Sequence, residues 1–177
     1  MQTTFSRSHL RLVASDGELL PPPAATTLAE RLLDFAGVQP GLRVIEFTFG
    51  PGRLSWRLLA AGCHPVAVDL AETSAGSIPE QWLGAFDVAI TACALHQVAD
   101  PARLLADVAA CVRPGGVCAG LEPLNDDFAS PDVRGCALAA GLALFRTDQQ
   151  TPGSALFWRA LVPALQTEPK PPLALAA

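Results

Sequence analysis

The segment Arg43-Val-Ile-Glu-Phe-Thr-Phe-Gly-Pro-Gly-Arg-Leu-Ser55 constrains this chain more than any other, because an apolar run ends in an acid and then in two closely spaced glycines. Such a pattern predicts a strand feeding a tight, ligand-binding turn. Gly50 and Gly52 permit positive φ and let the backbone approach a ligand with no Cβ in the way. Leu54 to Ala61 follows as a helix, and its first turn offers unpaired N–H groups to an anionic or strongly polar ligand group. A second apolar run, Pro65-Val-Ala-Val-Asp69, ends in another acid roughly 20 residues past the glycines, the spacing at which a nucleoside-binding βαβ unit holds a ribose. One carboxylate after each of two adjacent strands suits a ribose diol and a nearby cation.

The rest of the chain alternates helical and apolar strand-like segments. Thr26 or Thr27 caps a helix that runs to Ala36 and stops at Gly37, and Pro40-Gly41 turns into a first strand, Arg43 to Phe47. After the strand Pro65 to Asp69 comes another, Asp87 to Ala92. Asp100-Pro101 then supplies an N-cap with proline at the first helical position, leading into a helix Leu104 to Val112. Near-continuous apolar strands alternating with helices predict a parallel sheet covered on both faces, with its ligand crevice where the strand order reverses. Pro131 to Phe145 and Ser154 to Leu165 read as terminal helices. The tail Leu173 to Ala177 reads as either an edge strand or a frayed end. Trp56 is expected to pack on the sheet, Trp82 to line the crevice and Trp158 to lie on a terminal helix face, while His9 and His64 are expected at the surface.

Length and composition suit one α/β domain: the chain has 177 residues, half of them apolar. A net charge of −5 with a single lysine argues against nucleic acid, since little here would neutralise a phosphate backbone. The longest apolar run, Cys136 to Phe145, is too short to span a membrane, and the first ten residues lack the apolar centre of a signal peptide, so the cytosol is the expected compartment. The five cysteines are odd in number and form no C-x-x-C, which does not support a disulfide framework in this context. Cys63-His64 and Cys93-x-x-His96 would lie at opposite ends of the sheet, so no metal site is expected and all five thiols read as buried and inert.

These residues resemble the class I S-adenosylmethionine-dependent methyltransferases, in particular methyltransferase type 11-like members, whose first motif runs acid, x, Gly, x, Gly, x, Gly after the first strand. Phe86-Asp-Val-Ala-Ile-Thr-Ala-Cys-Ala-Leu-His-Gln-Val-Ala-Asp-Pro101 is similar to that family's fourth strand and following loop. Leu104 to Val112 with Arg113-Pro-Gly-Gly116 is similar to the helix and turn before its fifth strand, here Val117 to Glu122. The matches cover about residues 28–124 and occur in the family's order. A dinucleotide-binding reading of the same turn is weaker, because Ser55 stands where G-x-G-x-x-G would have its last glycine. The resemblance implies a Rossmann-like, doubly wound, mostly parallel sheet flanked by helices. It also implies S-adenosylmethionine as cofactor, held by Glu46, Thr48, Gly50, Gly52, Asp69, Leu70 and Cys93. Glu46 would meet the cofactor's amino group directly or through water, and Asp69 the ribose hydroxyls.

Three departures from the family pattern stand out. Thr48 replaces the first glycine of the motif, where a β-branched residue is poorly suited to positive φ, so either the position keeps an ordinary conformation or the turn is reshaped. Phe49 beside it either points into the crevice or packs in the core with Phe47. Only sixteen residues separate Asp69 from Phe86, room for one crossover, so the family's third strand is expected to be missing. Glu80 would then be the only acid left from the family's adenine loop. The second strand would form a sheet edge, covered by a docked arm or a second copy of the chain. Third, about 55 residues follow Glu122, fewer than the family uses to shape its acceptor pocket.

The organisation expected is an N-terminal arm over residues 1–25, with lid-like closure over the cofactor as one role, and a single methyltransferase-like domain over 26–177. His96 is the candidate general base for an acceptor that must lose a proton, since histidine is the side chain that titrates near neutrality. Its alternative reading is a helix-start residue bonded to backbone. Two functions follow: methyl transfer to a small molecule, or a catalytically inactive relative serving as a partner subunit or binding another ligand.

Overall fold

A computed structural model of the chain describes residues 23–73, 78–124, 132–148 and 155–164. Residues 1–22, most of the expected arm, and the tail Leu173 to Ala177 lie outside the described residues. The elements in chain order are α1 (Pro23–Ala36), β1 (Arg43–Thr48), α2 (Ser55–Ala60), β2 (His64–Asp69), β3 (Phe86–Ala92), α3 (Pro101–Cys111), β4 (Val112–Pro123), α4 (Val133–Ala139), β5 (Ala143–Asp148) and β6 (Ala155–Leu161). One-turn 3₁₀ helices, Glu80–Trp82 and Leu95–Gln97, precede and follow β3.

The six strands form one sheet in the order β2-β1-β3-β4-β6-β5. The first four run parallel, and β6 and β5 are antiparallel additions. Alternation along each strand feeds two cores. Ile45, Phe47, Ala89, Cys118 and Trp158 point to one face, under Leu105 and Val108 of α3 and Ala137 of α4. Val44, Val88, Ile90, Ala119 and Phe157 point to the other, under Leu32 and Ala36 of α1 and Leu58 of α2. The strand order reverses between β1 and β3, and the β1, β2 and β3 carboxyl ends therefore frame a crevice. At the opposite end Asp87 accepts from the Arg113 guanidinium (2.7 Å) and from the Arg43 N–H (2.9 Å), which holds its carboxyl below the usual range and ties the starts of three strands together.

Local signals explain the helix boundaries. Asp100 accepts from the Arg103 N–H at 2.9 Å and Pro101 opens α3, as its sequence predicts. Gly37 and Gly62 follow α1 and α2 in left-handed conformation. Helix α1 differs in starting at Pro23, ahead of the Thr26–Thr27 cap expected, because proline at the first position is itself a helix start.

The C-terminal region departs most from expectation. Pro131 to Phe145 yields the short helix α4 and the start of β5, and Ser154 to Leu165 contains strand β6 instead of a helix. The reason is tertiary: β6 pairs with β4 over seven residues and buries Ala155, Phe157, Trp158 and Ala160. Trp158 is thus a fully buried strand residue, stacked on Phe145 at 6.5 Å, and not part of a helix face. Trp56 also differs, being 39% exposed on the outer side of α2 with Arg57 over its ring. Trp82 meets Phe86 edge-on at 6.3 Å at the amino end of β3, so it packs beneath the sheet rather than lining the crevice. Glu80 opens the same 3₁₀ turn on the approach to that end.

Candidate functional site

The turn after β1 is built around Glu46. Its side chain has no exposed surface, and its carboxylate accepts from the Leu54 N–H (3.1 and 3.3 Å) and the Ser55 hydroxyl (2.9 Å). Burial pushes its pKa up, and the hydrogen bonds from Leu54, Ser55 and Arg53 offset part of that shift. Among the described residues, Glu46 therefore bonds to the turn. Gly52 sits where a Cβ would come within 2.7 Å of Ala67 Cβ and Ser55 Oγ and 2.9 Å of Glu46 Oε2, so only glycine fits between the turn and β2. Gly50 has φ +87° with open space on its Cβ side, which leaves the backbone there accessible.

Thr48 occupies the position of the missing glycine without strain. It is the last residue of β1, pairs with Asp69 and keeps negative φ, and its carbonyl accepts from the Leu70 N–H at 2.8 Å. The glycine pattern at this position is dispensable because the strand simply continues through it. Phe49 is half-buried against the cluster that contains Phe47.

Asp69 closes the turn from β2. Its Oδ1 accepts from the Gly50 and Ala71 N–H groups, both at 2.9 Å, and its Oδ2 has no hydrogen bond among the described residues. The carboxylate is thus oriented by one oxygen and presents the other.

The third wall follows β3. Cys93 adopts φ +54°, a conformation unusual for a residue with a side chain, and its N–H donates to the Leu121 carbonyl at 2.7 Å. Its carbonyl accepts from the Gln97 side-chain amide. Burial, then the nearby Glu122 charge, pushes the Cys93 thiol up to about 11, with Arg53 acting in the opposite sense. Cys93 and Cys136 are half-buried, unlike Cys63, Cys111 and Cys118, which are buried as expected. Among the described residues no group of three or more His, Cys, Asp or Glu is arranged to hold a metal.

His96 carries more than a bond to backbone. Its Nδ1 lies 2.7 Å from Glu122 Oε2, and the same carboxylate accepts from the Ala94 (3.1 Å), Leu95 (3.0 Å) and His96 (3.3 Å) N–H groups. Glu122 is fully buried at the carboxyl end of β4 and fixes both the 3₁₀ turn and the imidazole. This contact fixes the orientation of the ring through Nδ1.

Glu46, Thr48, Gly50, Gly52, Asp69, Leu70, Cys93 and His96 all fall at the β1, β2 and β3 carboxyl ends, as the sequence predicts. Two residues escaped the sequence reading. Glu122 carried a signal, since it ends an apolar run as Glu46 and Asp69 do, but no turn motif follows it. Arg53, exposed and close enough to Cys93 to act on its thiol, had none beyond its place in the turn.

A sequence model of the family described as "Methyltransferase domain" matches residues 23–167. The chain belongs to the class I methyltransferase family. This methyltransferase domain is 33% identical over a 97-residue alignment to a ubiquinone biosynthesis O-methyltransferase of Aromatoleum aromaticum, covering 43% of this chain and 42% of that protein. It thus spans less than half the length of that relative. Among solved structures it is similar to an Aquifex aeolicus SAM-dependent methyltransferase, with TM-score 0.62 and 15% identity over 81% of this chain and all of that one. It is also similar to a Burkholderia thailandensis 1,6-didemethyltoxoflavin-N1-methyltransferase, with TM-score 0.61 and 19% identity over 80% and 79% of the two chains. The [4+2]-cyclase SpnF has TM-score 0.63 and 14% identity, over 89% of this chain and 87% of its own. Among the described residues no helix is long and apolar enough to cross a membrane.

Proposed function

We propose that this domain is an S-adenosylmethionine-dependent methyltransferase acting on a small molecule, with the crevice between β1 and β3 as its cofactor site. The observation that carries this reading is Asp69, at the carboxyl end of β2: one carboxylate oxygen is locked by the Gly50 and Ala71 N–H groups, while the other makes no hydrogen bond among the described residues and is left for a ribose diol. The open backbone at Gly50, the exposed Arg53 and the Cys93 turn complete a site that fits the cofactor. Its cofactor, S-adenosylmethionine, supplies a methyl group on a sulfonium.

The chain's own contribution is alignment and proton removal. Asp69 would hold the ribose and Arg53 the amino-acid carboxylate, while Glu46 acts at one remove by fixing the turn. His96, oriented by Glu122, takes the acceptor's proton at Nε2. Phe49 and Trp82 both pack against the core, which supports a crevice open to a ligand.

Isothermal titration calorimetry with S-adenosylhomocysteine tests the site. Wild-type protein should bind, and Asp69→Ala should bind at least roughly tenfold more weakly, since hydrogen bonds to charged groups contribute about 1.5–3 kcal/mol. Absence of heat and of any thermal shift with the wild-type protein would reject the cofactor site and favour a binder of another ligand; the cyclase on the same fold shows that architecture alone does not fix the reaction.

The reading extends to a homodimer through the β2 edge. Strand β2 ends the described sheet, and α2 beside it exposes Trp56 (39%) and Leu59 (46%). Sedimentation velocity should give a dimer at micromolar concentration; a lone monomer boundary there would remove this extension.

A further inference from the structure

The far edge of the sheet carries a second concave feature with its own chemistry. Strand β5 pairs with β6 through Ala143↔Leu161 and Arg146↔Arg159, so one extra residue is bulged out between the two pairs. Leu144, in that bulge, adopts φ +49° and is 73% exposed, an unusual conformation and exposure for a leucine. The bulge brings Arg146 directly opposite Arg159, and like charges in that position repel.

Among the described residues no acid relieves the pair. Asp148, on the same face two residues along β5, is taken by Arg31 at 3.8 Å, and Arg31 lies over the Phe157 ring at 4.9 Å. Among the described residues Arg146 and Arg159 make no ion pair, and the buried Nε of Arg159 has no hydrogen-bond partner. The two arginines, with Leu144, Phe145 and Leu161, line a cleft of about 260 Å³. That is just under the range of about 300–1,000 Å³ common for drug-sized ligands, so its occupant is small. Leu161 pairs with Val117 at the amino half of β4, which puts the cleft toward the end of the sheet opposite the crevice.

We propose that this cleft is a second ligand site, for a carboxylate that carries an apolar chain. Paired guanidinium groups match the planar, two-oxygen geometry of a carboxylate, and its charge removes the repulsion between them. Leu144 and Leu161 provide the surface for the hydrocarbon, which explains why a leucine is held exposed in a strained bulge beside two cations.

Titration of the full chain with sodium octanoate, octanol and inorganic phosphate tests this. Octanoate should bind the wild-type protein, with octanol and phosphate each at least tenfold weaker because each lacks one half of the recognition. Arg146→Gln, at an exposed position, should weaken octanoate at least tenfold while leaving the thermal midpoint of the free protein and S-adenosylhomocysteine binding unchanged. Absence of octanoate binding, equal binding of octanol or phosphate, or unchanged affinity in Arg146→Gln would each overturn the proposal, whatever the crevice binds.

Discussion

Glu122→Ala should lower unfolding free energy by about 3 kcal/mol, because it leaves several buried N–H donors without an acceptor. The side chain accepts from three backbone N–H groups and holds the His96 ring, and it has no exposed surface. Truncation leaves those donors facing one another across a vacated space, each costing about 1–3 kcal/mol if water does not enter. Glu122→Gln should cost distinctly less, because its one carbonyl oxygen retains part of the acceptor set. Its amide nitrogen cannot accept from Nδ1–H, so ring orientation and any activity that depends on it should still fall. Urea unfolding of the two variants separates these effects from each other. A wild-type midpoint for Glu122→Ala would show that the network is not a structural element of the site.

Gly120→Ala should destabilise the fold by about 1–3 kcal/mol, the usual cost of overpacking a tight core. A Cβ at this position would come within 2.4 Å of both Thr91 Oγ1 and Trp158 Nε1, and within 2.6 Å of Trp158 Cε2. Thr91, Gly120 and Trp158 lie side by side on β3, β4 and β6, so the indole of one strand rests on the bare backbone of the next. Among the described residues neither the Thr91 hydroxyl nor the Trp158 N–H has a hydrogen-bond partner. A shifted urea midpoint with unchanged slope is the expected signature; an unshifted midpoint would mean that Trp158 moves aside at no cost.

Much of the crevice was legible because its signals are local. An apolar run, an acid and spaced glycines specify a strand and a turn within a dozen residues, and Asp100-Pro101 specifies a helix start within two. The C-terminal third was not legible for the opposite reason. Ala155-Leu-Phe-Trp-Arg-Ala-Leu161 is apolar enough for a buried helix or a buried strand, and only the open edge of β4 selects the strand. The error on Trp158 follows from the error on β6. Trp56 and Trp82 were misplaced because large aromatics say nothing by themselves about which side of an element they occupy.

The sequence by itself determined the class of fold, the end of the sheet that carries the crevice, and the two acids, Glu46 and Asp69, that organise that end. It could do so because a strand–turn–helix unit is closed by short-range geometry and a period of two places each acid. Tertiary structure alone decided where those acids bond: Glu46 turned inward to hold its loop, Asp69 tied the Gly50 turn to β2, and Glu122, 26 residues from His96, became that ring's partner. The same holds for Arg146 and Arg159, which face each other because a bulge shifts the register between two strands. Which groups meet across strands depends on pairing and register, and neither is written in the residues of one strand alone.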